Sequence, residues 1–197
     1  MNRRTALKKT GLLAGGSLMA PSLFSLLQSC QSQGRADWQP LFFSSDEAQF
    51  VSSLVDTILP ATATPGALEV KVDVFMDLVF AKTMDADQQQ ALRDKMAQFN
   101  KDCLKNHGAV FADLKAEGQI AVLKEAEAQS PTYNGSVWGT AVGKQADVGL
   151  YRSLKSMAIW AYFSSEKIGK EVLNYDPIPQ AFLGCIPLAE VGNRWTF

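Results

Sequence analysis

Ser44-Ser45-Asp46-Glu47-Ala48-Gln49-Phe50-Val51-Ser52-Ser53-Leu54-Val55-Asp56-Thr57-Ile58-Leu59-Pro60 is the stretch whose pattern fixes the fold class. Ser44 and Glu47 stand at capping-box spacing, so each can satisfy the other's free backbone N–H at the start of a helix. Behind them Phe50, Val51, Leu54, Val55, Ile58 and Leu59 recur at steps of three and four, which places them on one helical face. Pro60 ends the run, because its ring pushes the preceding residue out of the helical region. The following Pro60-Ala61-Thr62-Ala63-Thr64-Pro65-Gly66 carries turn residues at both ends.

The same period continues toward the C-terminus. It predicts a second helix over about 67–82 that buries Val72, Phe75, Met76, Val79 and Phe80. A third begins at Asp85 or Asp87, carries Leu92, Met96, Phe99 and Cys103, and stops at Gly108. A shorter helix over about 117–128 uses Ile120 and Leu123, and Ser130 to Gly139 reads as a polar, glycine-rich loop. The longest helix is predicted over about 145–163, with Leu150, Leu154, Met157, Ala158, Ala161 and Tyr162 turned inward. Ser164-Ser165-Glu166 marks a break and a new cap, leading to a short helix that ends near Asn174. Pro177, Pro179 and Pro187 make the tail from Tyr175 extended or looped. With no run of alternating strands and no repeat, the class is all-α. Residues 41–197 form a single irregular helical bundle domain of about five to six helices with an extended C-terminal tail.

Composition narrows the chemistry. The 197 residues hold 19 Lys+Arg, 20 Asp+Glu, one His and three Cys. A net charge of −1 argues against a partner that is nucleic acid. One His and three Cys exclude a His-rich metal site, a disulfide scaffold and a four-thiolate zinc site. No Gly-x-Gly-x-x-Gly follows a strand, and Cys-x-x-Cys-His and Gly-x-Ser-x-Gly are missing. His107 falls at a helix end, where an imidazole answers the dipole. Asp46-Glu47, Asp85 with Asp87, and Glu125 with Glu127 read as solvated helix faces. Cys103 lies on an apolar stripe and reads as a small buried hydrophobe. Cys185, in the tail, is the better disulfide former, with Cys103 or a thiol on another chain as its partner.

The charge is unevenly spread. Residues 1–29 contain Arg3, Arg4, Lys8 and Lys9 and no acid, leaving 15 basic against 20 acidic side chains, a net −5, for the rest. Basic residues, then the apolar Gly11–Ala20 run, then small residues make residues 1–29 an export signal. The adjacent Arg3-Arg4 resembles a twin-arginine signal, which delivers proteins already folded. Leu27-Gln28-Ser29-Cys30 resembles a bacterial lipobox, with a diacylglycerol on Cys30 attaching the chain to a membrane. Residues 30–40 are then the lipidated Cys and a tether. The expected location is the bacterial cell envelope, facing the periplasm. On the residues alone this is an exported helical binding or accessory module.

Two sets of motifs sharpen that reading. The first is Asp56-Thr57-Ile58-Leu59-Pro60 followed by Thr64-Pro65-Gly66-Ala67. The second is Trp160-Ala161-Tyr162-Phe163-Ser164-Ser165-Glu166-Lys167-Ile168-Gly169, then Leu173-Asn174-Tyr175-Asp176-Pro177-Ile178-Pro179, then Gly184-Cys185. In order and spacing these resemble the gluconate 2-dehydrogenase subunit 3 family over about residues 42–190. The resemblance implies a small subunit with no chemistry of its own. FAD would lie in a large flavoprotein subunit of the glucose-methanol-choline type, with electrons leaving through a cytochrome c subunit or domain. The small subunit would support the folding, export and membrane attachment of the large one. Pro60, Pro65, Gly66, Trp160, Tyr162, Phe163 and Cys185 are the candidate partner interface. The loop can also be read as a plain helix connection and the aromatics as core, and the alternative for the whole chain is a stand-alone lipoprotein acting as a binding or scaffolding module.

Overall fold

The first helix, α1 (Ser45–Ile58), starts as its sequence requires. The Ser44 hydroxyl accepts from the Glu47 N–H at 3.3 Å, and the Glu47 carboxylate accepts from the Ser44 N–H at 2.8 Å. Ala48, Phe50, Val51, Leu54 and Val55 are its buried face. The computed structural model describes residues 38–133, 136–137, 140–141, 147–178 and 184–196. Arg3, Arg4 and Cys30, and with them the expected signal and the lipidation site, lie outside the described residues.

After α1 the chain doubles back, with the Ala67 N–H bonded to the Leu59 carbonyl at 2.8 Å. Helix α2 (Val72–Thr83) begins five residues later than the periodicity predicts. The cause is Lys71, whose φ of 57° is left-handed and interrupts the helical path. Helix α3 (Ala86–His107) has a second capping box, Asp85 with Gln88, and ends on Gly108 at φ 80°. A 3₁₀ turn (Phe111–Asp113) leads to α4 (Ala116–Gln129). From the expected 130–139 loop, β1 (Ser136–Val137) pairs antiparallel with β2 (Thr140–Ala141) just past its end, Ser136 opposite Ala141.

Helix α5 (Gly149–Phe163) begins later than the expected 145, because Gly149 takes φ 79° and the Asp147 carboxylate accepts its N–H at 2.9 Å. Among the described residues the longest helix is therefore α3, with 22 residues against 15 in α5, and not the 145–163 helix of the sequence reading. Helix α6 (Glu166–Glu171) stops short of Asn174. The tail is more structured than an extended strap. β3 (Asn174–Tyr175), α7 (Leu188–Val191) and β4 (Trp195–Thr196) follow, and β3 pairs parallel with β4, Asn174 opposite Trp195. Asparagine side chains hold this arm: Asn174 donates to the Val191 carbonyl and, at 2.8 Å, to that of Asn193, while Asn193 donates to Val172 at 2.7 Å. The class is all-α. The seven α-helices among the described residues exceed the expected five to six because of α7.

Helix α1 is central and meets α2, α4, α5 and the 3₁₀ turn. Phe50 packs on Phe99 and Phe111 with ring centres 5.5 and 5.6 Å away. Phe42, Phe43 and Phe80 form a second cluster at 5.1–6.2 Å. Several expected core residues sit partly in solvent: Phe75, Val79, Leu92, Phe99, Leu150 and Met157 are half-buried, and Ile120 is exposed.

Two buried carboxylates on α2 were not foreseen. Asp73 accepts from the Ser52 hydroxyl at 2.7 Å and from the Val74 N–H at 2.9 Å. Asp77 accepts the N–H groups of Leu41, Phe42 and Phe43 at 2.7, 2.9 and 2.9 Å. Arg93 adds bonds to the Phe42 carbonyl and to Glu47, and its guanidinium lies 4.4 Å over the Phe42 ring. The first residues of the folded unit are thus fastened to both α2 and α3.

Candidate partner-docking site

The loop between α1 and α2 and the end of α5 are wired to each other. The Tyr162 hydroxyl donates to the Pro65 carbonyl at 2.7 Å. Pro65 is held there by the loop's tight return, in which a Cβ on Gly66 would lie 2.7 Å from the Ala61 nitrogen. Only glycine fits, and the reason is the close backbone approach. The two motifs quoted above, far apart in the chain, therefore meet in space.

The seven expected interface residues divide into two groups. Gly66 and Tyr162 are buried and belong to the internal wiring, and Pro65 is half-buried beside them. Pro60 and Cys185 are exposed, Phe163 is half-buried, and Trp160 is 55% exposed. Trp160 rests against Phe75 with ring centres 5.4 Å apart. The Arg194 guanidinium lies 5.3 Å from the Phe163 ring, so the C-terminal arm closes onto the end of α5. Beyond it the arm shows Leu188 and Ile178 almost fully to solvent.

Cys103 is buried on α3 and Cys185 exposed, and both are free thiols, so the structure does not join them. Burial pushes the Cys103 thiol up to about 11, with the Asp102 and Glu125 carboxylates adding to it. That thiol is kept protonated and inert. His107 sits at the end of α3 with its Nε2 3.8 Å from Glu125. Asp46, Asp85, Asp87 and Glu125 face solvent as expected.

Glu127 departs from that expectation. It pairs with Lys155 at 2.7 Å and Arg152 at 2.9 Å, beside an open cleft of about 280 Å³ lined by Thr57, Ile58, Ile120, Leu123, Tyr151 and Lys155. The Lys155 hydrogen bond holds the Glu127 carboxyl below its usual range and raises Lys155, while burial pushes Tyr151 up. All three shifts favour the resting protonation states of the cluster. Among the described residues no group of three or more His, Cys, Asp or Glu could hold a metal ion. None of the described helices is long and apolar enough to cross a membrane.

The geometry defines a helical body that presents aromatic side chains and a C-terminal arm at one end of α5. The model of the gluconate 2-dehydrogenase subunit 3 family matches residues 45–179, from α1 past α6, and the chain belongs to that family. The family is one of accessory subunits, components of a multi-subunit gluconate dehydrogenase. No curated protein matches the chain, and no solved structure does.

Proposed function

We propose that this chain is the non-catalytic small subunit of a periplasm-facing, FAD-dependent dehydrogenase of the glucose-methanol-choline type, acting on a sugar, sugar acid or alcohol. FAD belongs to the large subunit, and a cytochrome c subunit or domain takes the electrons. The small subunit supports the folding of the large one, carries it through the twin-arginine route by way of Arg3 and Arg4, and attaches it to a membrane through a lipid on Cys30. The observation that carries the reading is the family match over residues 45–179, which includes both motif segments joined by Tyr162 and Pro65.

The test is made in the native host. Replacing Arg3 and Arg4 together by Lys is expected to leave both this chain and a flavoprotein dehydrogenase in the cytoplasm. Replacing Cys30 by Ser is expected to release the pair from the membrane. A dehydrogenase that reaches the periplasm normally without this chain would refute the proposal.

A further inference from the structure

Resting on that reading, the structure assigns the surface that the flavoprotein subunit covers: a ridge formed by Leu78, Phe75, Trp160, Phe163 and Arg194. Leu78 and Phe75 are one helical turn apart on α2, and Trp160 and Phe163 one turn apart on α5. The 5.4 Å contact between Phe75 and Trp160 joins the two helices, and the 5.3 Å contact between Arg194 and Phe163 carries the ridge onto the arm. Leu78 and Trp160 are 44% and 55% exposed, which is costly to leave in water for side chains already aligned. Aromatic residues with an arginine are the composition of protein interfaces, where they supply most of the binding energy.

Arg194 states the partner's chemistry. Among the described residues it makes no ion pair, and its guanidinium lies 5.3 Å from the centre of the Phe163 ring. An exposed guanidinium without a carboxylate of its own can take a two-point bond from a partner's carboxylate. The surface that fits is apolar, with an acidic side chain opposite Arg194. A second copy of this chain fits poorly. In a two-fold contact the ridge would face itself, and it contributes a cation and no carboxylate. The arm supports the same assignment. Helix α7 buries no residue and its Leu188 is exposed, so the arm keeps apolar surface for a partner to cover.

This placement narrows the seven-residue interface expected from the sequence. Trp160 and Phe163 remain in it, while Tyr162 and Gly66 act from inside by holding the end of α5.

The test is immunocapture of the full chain from detergent-solubilised membranes of the native host, with flavin recovered per chain as the readout. Trp160→Ala and Arg194→Glu are each expected to lower recovered flavin at least about tenfold, the scale of an interface anchor. Leu104→Ala, which alters an exposed apolar residue of α3 outside the ridge, is the control and is expected to leave it unchanged. Ridge variants that recover as much flavin as the wild type would overturn the assignment. So would ridge variants that keep the flavin but lose only self-association, or only binding to vesicles of anionic phospholipid. A wild-type chain that brings down no flavoprotein would instead overturn the functional reading itself.

Discussion

The hydroxyl of Tyr162 donates a hydrogen bond to the carbonyl of Pro65 at 2.7 Å, joining the last turn of α5 to the loop that follows α1. Tyr162 is 7% exposed and Pro65 is half-buried, so the bond lies largely out of bulk water. Removing the hydroxyl with Tyr162→Phe leaves the Pro65 carbonyl short of its donor. The expected loss is about 1 kcal/mol, or about 2–4 °C in thermal midpoint, measured by the far-ultraviolet dichroism of the folded unit on heating.

Gly66→Ala should cost more. The new Cβ would meet the Ala61 backbone at 2.7 Å, and backbone cannot swing aside as a long side chain can. Overpacking of this kind costs about 1–3 kcal/mol. Urea unfolding is the measurement, and a midpoint equal to that of the wild type would contradict the packing described for this loop.

Asp77 has a different role. It gathers three backbone N–H groups on one carboxylate, at 2.7, 2.9 and 2.9 Å. Asp77→Ala leaves those three donors without their acceptor and is expected to destabilise by roughly 3 kcal/mol. Amide hydrogen exchange at Leu41, Phe42 and Phe43 should accelerate before that of the α1 core.

The two thiols of the described residues, Cys103 and Cys185, should be told apart by reactivity. Cys185 is exposed, whereas Cys103 is buried and raised to about 11. At pH 8 a thiol reagent is expected to modify Cys185 quickly and Cys103 only on unfolding. The sign of the linked stability follows from the shift. Between the ordinary value of 9.0 and about 11, the unfolded thiol loses its proton while the folded one keeps it. The contribution of Cys103 is therefore fully present below pH 9.0 and is lost as pH rises toward about 11. Cys103→Ser, with its higher intrinsic pKa, should flatten that alkaline decline.

Some of this was readable in the chain and some was not, for physical reasons. Helices α1 and α3 announced themselves through local chemistry: a capping box at Ser44 and Glu47, an aspartate cap at Asp85 or Asp87, a proline stop and a glycine stop, each acting within a few residues. The start of α2 depends on a left-handed Lys71, which no side-chain pattern signals. The ranking of helix lengths failed because α3 is polar, burying only Met96 and Cys103, while α5 offers a fuller apolar stripe. Asp73 and Asp77 belong to no motif that marks them, yet Asp73, Met76, Asp77 and Phe80 fall at steps of three and four on the buried face of α2. A carboxylate on an apolar stripe was the available signal. The candidate site was half legible. Trp160, Tyr162 and Phe163 stood out in the sequence, but which of them face outward depends on the bond from Tyr162 to Pro65, 97 residues away, and on the arm.

The grip of Asp77 and Arg93 on residues 41–43 also determines how the folded unit bears tension. A pull applied upstream of Pro40 reaches α2 through the Asp77 carboxylate and α3 through the Arg93 guanidinium before it reaches the first turn of α1. The load is divided between two helices instead of unwinding one from its end.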